Sequence, residues 1–171
     1  MQSSPLMSKT IIATYEDVHG ANRAVERLFE EGFTNEEISM LLSDATKDKH
    51  LAIETNTKAP EGVATGAAVG GTLGAIAAGL TAVASIVIPG LGLVVAGPLL
   101  AALAGLGAGG AVGGLVGGLV GLGISENEAK VVEEAIKNGN VVIAVSHDDR
   151  DRIKVARAVF ESTSALNTAA A

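Results

Sequence analysis

The densest potential for chemistry lies at His147, Asp148, Asp149 and Asp151, which place one imidazole and three carboxylates within five positions. An oxygen-preferring metal ion could use such donors. The same acids suit the first turn of a helix, where negative charge meets the positive end of the backbone dipole, and that reading is preferred. His19 and His50 are isolated histidines, His50 within a polar linker. The chain has no cysteine, which excludes disulfides, thiolate nucleophiles and cysteine-ligated zinc. The acidic pairs Glu30-Glu31, Glu36-Glu37 and Glu133-Glu134 read as solvated faces. No Ser/His/Asp or paired-carboxylate spacing is present, so the expectation is a non-enzymatic protein with no catalytic, cofactor or metal residues.

Glycine spacing is the other chemical possibility. Residues 105–123 contain several G-x-G and G-x-x-x-G patterns. A phosphate-cradling loop would also need the lysine and hydroxyl of G-x-x-x-x-G-K-[ST], and neither lysine nor acid occurs in this stretch. A packing role is expected instead. The formal charge of −7, from 12 Lys and Arg against 19 Asp and Glu, argues against nucleic acid as a partner. No small-molecule substrate is indicated.

Those glycines belong to an unusual segment. Residues 62–125 are 64 consecutive positions without a charged or aromatic side chain. All 31 charges sit on the other 107 residues, about 29 percent of them, a normal soluble value. Gly62, Gly66, Gly70 and Gly74 recur every fourth residue, as do Gly105, Gly109, Gly113, Gly117 and Gly121. On a helix each series forms one smooth face, the small-xxx-small surface that lets two backbones approach closely. Pro89, Gly90 and Gly92, followed by Gly97 and Pro98, punctuate the middle. The pattern predicts a glycine-zipper helical hairpin with arms at roughly 62–87 and 98–123 and its turn between them. Each 26-residue arm would extend about 39 Å, more than the ~30 Å hydrocarbon core of a bilayer.

The flanking sequences read as an ordinary domain cut in two. Residues 9–15 are β-branched and predict a strand. Asp17 caps a helix carrying Val18, Ala21, Val25, Leu28 and Phe29, stopped by Gly32, and residues 37–44 predict a second strand. After the insertion, Ser125 and Glu128 form a capping box. A helix with Ala129, Val132, Ala135 and Ile136 inward ends at Gly139, and residues 140–146 predict a strand. Ile153, Ala156, Val159 and Phe160 mark a last helix, and the tail 165–171 is either a weak edge strand or frayed, with fraying beyond Asn167 preferred. The expected fold is α+β, a ferredoxin-like sandwich interrupted by the inserted Gly/Ala-rich hairpin. Its organisation is 9–46 (β-α-β), a polar linker at 47–61, the hairpin at 62–124 and the second half at 125–168 (α-β-α). The first residues lack the pattern of a signal peptide, and Met7 is an alternative start.

Thr10–Ala13 with Ala21, Ala24, Val25, Leu28, Gly32-Phe33 and Ile38-Ser39, the turn Ile88-Pro89-Gly90-Leu91-Gly92, Gly121–Ile124 with Glu126 and Ala129, and Asn138-Gly139 before Val141–Val145 form a further pattern. Together these segments resemble the bacterial general stress protein 17M-like domain, also called the heat-induced stress protein YflT-like domain. The resemblance implies a stress-associated, non-enzymatic bacterial protein and carries no active site. Combined with the composition, it leads to an expected membrane protein that anchors and self-associates through its hairpin, the α+β domain spacing it or binding a partner. Lys47, Lys49, Lys58, Lys130 and Lys137 flank the segment and place both termini in the cytoplasm. The expected partners are membrane lipid and further copies of the chain. The alternative is a soluble cytoplasmic homo-oligomer, a shell or particle with its hairpins buried between subunits. A pore ranks lower, since the arms offer only Thr65, Thr72, Thr81 and Ser85 as polar lining.

Overall fold

A computed structural model describes residues 9–43, 46, 85–88, 93–97 and 114–171. The elements run β1 (Lys9–Tyr15), α1 (Val18–Glu30), β2 (Ile38–Ser43), β3 (Ser85–Ile88), β4 (Leu93–Ala96), α2 (Gly114–Gly121), α3 (Glu126–Lys137), β5 (Val141–His147), α4 (Arg150–Ser162) and β6 (Asn167–Ala170). The protein is mixed α+β. Among the described residues six strands form one sheet in the order β3-β4-β2-β5-β1-β6, and all neighbours are antiparallel. The connection from β1 through α1 to β2 passes over β5, and that from β5 through α4 to β6 passes over β1.

Alternation along the strands divides the core in two. Ile11, Ala13 and Tyr15 of β1, Ile38, Met40 and Leu42 of β2, and Val141, Ile143 and Val145 of β5 face α1 and α4. On the opposite face, Ile12, Leu41, Val142 and Ala144 pack with Leu115 and Leu119 of α2 and Ala129, Val132 and Ile136 of α3. Helices therefore cover both sides of the sheet, making three layers. A central strand buried on both faces must be apolar throughout, which is why β5 reads as a continuous run.

Local signals act as the sequence predicts. The Asp17 carboxylate accepts the Gly20 N–H at 2.7 Å and starts α1. Ser125 accepts the Glu128 N–H at 3.4 Å and caps α3, while its hydroxyl donates to the Glu128 carboxylate at 2.6 Å. At the end of α2, Gly123 N–H donates to Val120 O and Ile124 N–H to Leu119 O, with Gly123 at φ +91°. This is a Schellman ending, in which glycine avoids the Cβ clash of the left-handed region.

The tail departs from the expectation of fraying. Residues 167–170 pair with β1, Ala169 is buried, and the flanking Leu166 and Ala171 amides donate to Thr14 O and Thr10 O. A free edge on β1 supplies the partner that no local signal announces.

Tyr15 ties the sheet to the end of α4. Its hydroxyl meets Thr163 Oγ1 at 2.8 Å, Thr163 in turn donates to Val159 O at 2.8 Å, and the ring lies edge-on to Phe160. Burial pushes the phenol up from 10.0 to about 12, against the opposing hydrogen bond of Thr163 and the charge of Arg23. The folded state thus holds this proton more tightly than the unfolded chain. The resulting stability is complete below pH 10.0 and is lost as pH rises toward 12. Because the chain has one tyrosine and no tryptophan, phenolate absorbance reports Tyr15 alone. The native protein is expected to ionise about two pH units later than the denatured one, and Tyr15→Phe to remove the alkaline decline in stability. Coincident titration of the two states would contradict this account.

Candidate functional site

The apolar insertion is the candidate site, and the structure describes it in part. Gly62, Gly66, Gly70, Gly74, Gly105, Gly109 and Gly113 lie outside the described residues, as do Pro89, Gly90, Gly92 and Pro98. Gly117 and Gly121 fall on α2. The predicted helical arms need correction at the middle of the insertion. Residues 85–88 and 93–96 are strands, paired Ser85 to Ala96 through Ile88 to Leu93. Ile86, Val87 and Ile88, with Val94 and Val95, are β-branched, and the two runs are separated by a Pro-Gly-containing quartet. That is a hairpin signal, and β-branched residues favour the extended backbone. The predicted helix-to-helix turn therefore joins two strands.

This hairpin is anchored to the domain. β4 pairs with β2 from Met40–Ala96 to Ser43–Leu93. Gly97 follows immediately, buried, at φ +93°. A Cβ there would lie 2.4 Å from Ile38 O and 2.7 Å from Ser39 Cα, so the backbone of Gly97 seats directly on the start of β2.

The last part of the insertion is also held. Leu115 and Leu119 of α2 are buried against the sheet, whereas Gly114, Gly117, Val120 and Gly121 face outward. Val120 is 43% exposed, and a Cβ at Gly117 would meet nothing within 4 Å. The outward side of α2 is thus smooth, uncharged and open.

The polar cluster suspected from sequence is assembled differently. His147 Nε2 lies 3.1 Å from Glu37 Oε1, while its Nδ1 accepts the Asp149 N–H at 2.8 Å. Asp149 caps α4 by accepting the Asp151 N–H, and Asp151 pairs with Lys154 at 2.8 Å. Among the described residues no three His, Asp or Glu side chains converge as metal ligands. Glu37 is the partner that sequence spacing could not reveal, because it lies more than a hundred positions away.

Burial pushes the Glu37 carboxyl up, but the Thr34 N–H and hydroxyl, at 2.7 and 2.8 Å, outweigh it together with the charges of His147 and Arg152. Its pKa falls below the ordinary 4.5. A depressed carboxyl contributes stability that is present above the ordinary value and is lost as pH falls through the folded one. Glu37→Gln is expected to flatten the decline in stability below pH 4.5. An acid limb identical to the parent's would show that Glu37 carries no such linkage.

One open groove of about 310 Å³ is lined by Arg23, Glu26, Arg27 and Glu30 of α1 and by Ser162, Thr163 and Ser164. Its two arginines and two glutamates cancel in formal charge, and its geometry assembles no nucleophile with a base. Fold and surface together define a mixed α+β protein with a partly incorporated apolar insertion. Comparison of the chain with protein-family models, characterised proteins and solved structures finds no match.

Proposed function

We propose that the protein is a non-enzymatic, self-associating structural protein that buries its apolar insertion between copies. The observation that carries this reading is the outward face of α2, where Gly114, Gly117, Val120 and Gly121 present a helix surface fit for close backbone contact. The core that displays it is ferredoxin-like, a view supported by the order β2-β5-β1-β6 and by two helical crossovers on one face. The stress-associated role implied by the sequence resemblance belongs to the same proposal.

Chain lengths favour other copies over hydrocarbon as the cover. The charge-free stretch 62–84 runs directly into β3, and residues 98–113 run from Gly97 to Gly114. The chain leaves the domain after β2 and is back on it at β3, then leaves after Gly97 and is back at α2, so any crossing must go out and back. At about 20 residues per span, a return crossing takes about 40 apolar residues. The two stretches provide 23 and 16, and the linker before the first carries Lys47, Asp48, Lys49, Glu54, Lys58 and Glu61. Among the described residues, no helix is long and apolar enough to cross a membrane. The described part of α2, eight residues, extends about 12 Å.

Sizing by light scattering without detergent, alongside membrane fractionation, tests the proposal. The expected result is a detergent-free soluble particle of several copies. Gly117→Leu is expected to weaken its assembly about tenfold, an effect of roughly 1.4 kcal/mol. The open space around Gly117 lets the domain fold normally. Carbonate-resistant recovery with membranes would return the insertion to lipid, and a detergent-free monomer would overturn self-association.

A further inference from the structure

The junction of β5 and α4 carries a feature independent of assembly. Both ring nitrogens of His147 are engaged, one toward the Glu37 carboxylate at 3.1 Å and the other as acceptor of the Asp149 N–H at 2.8 Å. Only the neutral tautomer with its proton on Nε2 satisfies both contacts. A second proton must go to Nδ1, where it would face the Asp149 N–H donor to donor. The contact to Glu37 survives that change and becomes a full ion pair.

We infer that His147 is a proton-operated latch, which in its neutral form holds the Asp149 cap of α4 and in its charged form releases that cap while keeping Glu37. The geometry concentrates the effect. Ser146 N–H donates to Glu37 O at 3.0 Å, so the end of β5 and the residue before β2 are already joined by backbone. Gly97 is seated on the next residue, Ile38. The latch therefore lies where β2, β5, α4 and the return of the β3–β4 hairpin meet.

The surrounding charges do not duplicate the switch. Lys9 stands opposite His147 in the β1–β5 register. Arg152 stacks on Phe33 at 3.9 Å and donates to Glu31 O at 2.9 Å. Asp151 is paired with Lys154, the Asp149 carboxylate accepts from Asp151 N–H, and Asp148 and Glu36 are adjacent in sequence. Glu37 stays charged between pH 8 and 5 because its carboxyl is held below the ordinary range. In that window histidine is the side chain type that ordinarily changes charge.

The test follows the Asp149 amide and the His147 ring of the full chain by NMR between pH 8 and 5. The Asp149 amide is expected to shift with the same midpoint as the His147 ring. Its hydrogen exchange, corrected for intrinsic pH dependence, is expected to accelerate about fivefold on the acid side, the equivalent of one ordinary hydrogen bond. His147→Phe should leave Asp149 exchanging at the faster rate throughout. An Asp149 amide that stays unmoved and protected while the His147 ring titrates would overturn the latch, even if His147→Phe failed to fold.

Discussion

Gly97→Ala is expected to destabilise the protein by about 3 kcal/mol or more, adding left-handed backbone strain to overpacking. The added methyl would be driven to 2.4 Å from Ile38 O and 2.7 Å from Ser39 Cα. Both are backbone atoms of a strand hydrogen-bonded to β4 and β5, so neither can swing aside as a flexible side chain would. The structure can relieve the clash by lifting β4 away from β2, and the hairpin then loses its seat. Denaturant unfolding should show the lower midpoint, and hydrogen exchange should show β3 and β4 opening before β1 and β5. A variant with parental stability and protected β4 amides would show that Gly97 is not seated on β2. This substitution probes the point at which the apolar insertion is tied to the domain.

Leu119→Ala is expected to cost about 3 kcal/mol, within the usual range for emptying a buried leucine site. Leu119 is fully buried in the layer formed with Leu115, Ile124, Val132 and Ile136. The helix that carries it has the sequence GLVGGLVG. Two interior glycines, Gly117 and Gly118, at about 1 kcal/mol each relative to alanine, weaken that helix in isolation. It persists because Leu115 and Leu119 attach it to the sheet. Truncating Leu119 therefore weakens both the packing and the helix. Calorimetric or denaturant measurement of the loss, with exchange of the α2 amides, tests this coupling. A cost below 1 kcal/mol with α2 still protected would place its stability elsewhere. Gly117 lies on the opposite side of the same helix, where an added Cβ meets none of the described residues within 4 Å, so the two positions separate folding from assembly.

The local architecture was largely legible because its causes are local. Asp17 and Ser125 start helices with side chains that reach their own first turns. The strand at Lys9–Tyr15 and the helix at Val18–Glu30 follow from β-branching and apolar spacing within each segment. The insertion was harder. Ser85–Ile88 satisfies the apolar spacing of a helix as well as the composition of a strand, because a short, uniformly apolar run has no distinguishing period. Whether it becomes a strand depends on an available edge, and β2 offers one through β4. The same reason accounts for β6, which forms on the free side of β1.

The opening cluster shows the division most plainly. The run at 147–151 contains enough information to cap α4, since Asp149 reaches Asp151 N–H two residues on. It contains none about Glu37, which reaches His147 only because β2 and β5 are neighbours. Composition likewise established a charge-free segment set inside an otherwise normal acidic chain. Tertiary pairing decided how much of that segment joins the domain, as β3, β4, Gly97 and α2. Capping, turn chemistry and periodicity are written in a few adjacent residues. Sheet edges, both-sided burial and ion pairs between strands arise only when distant segments are brought together.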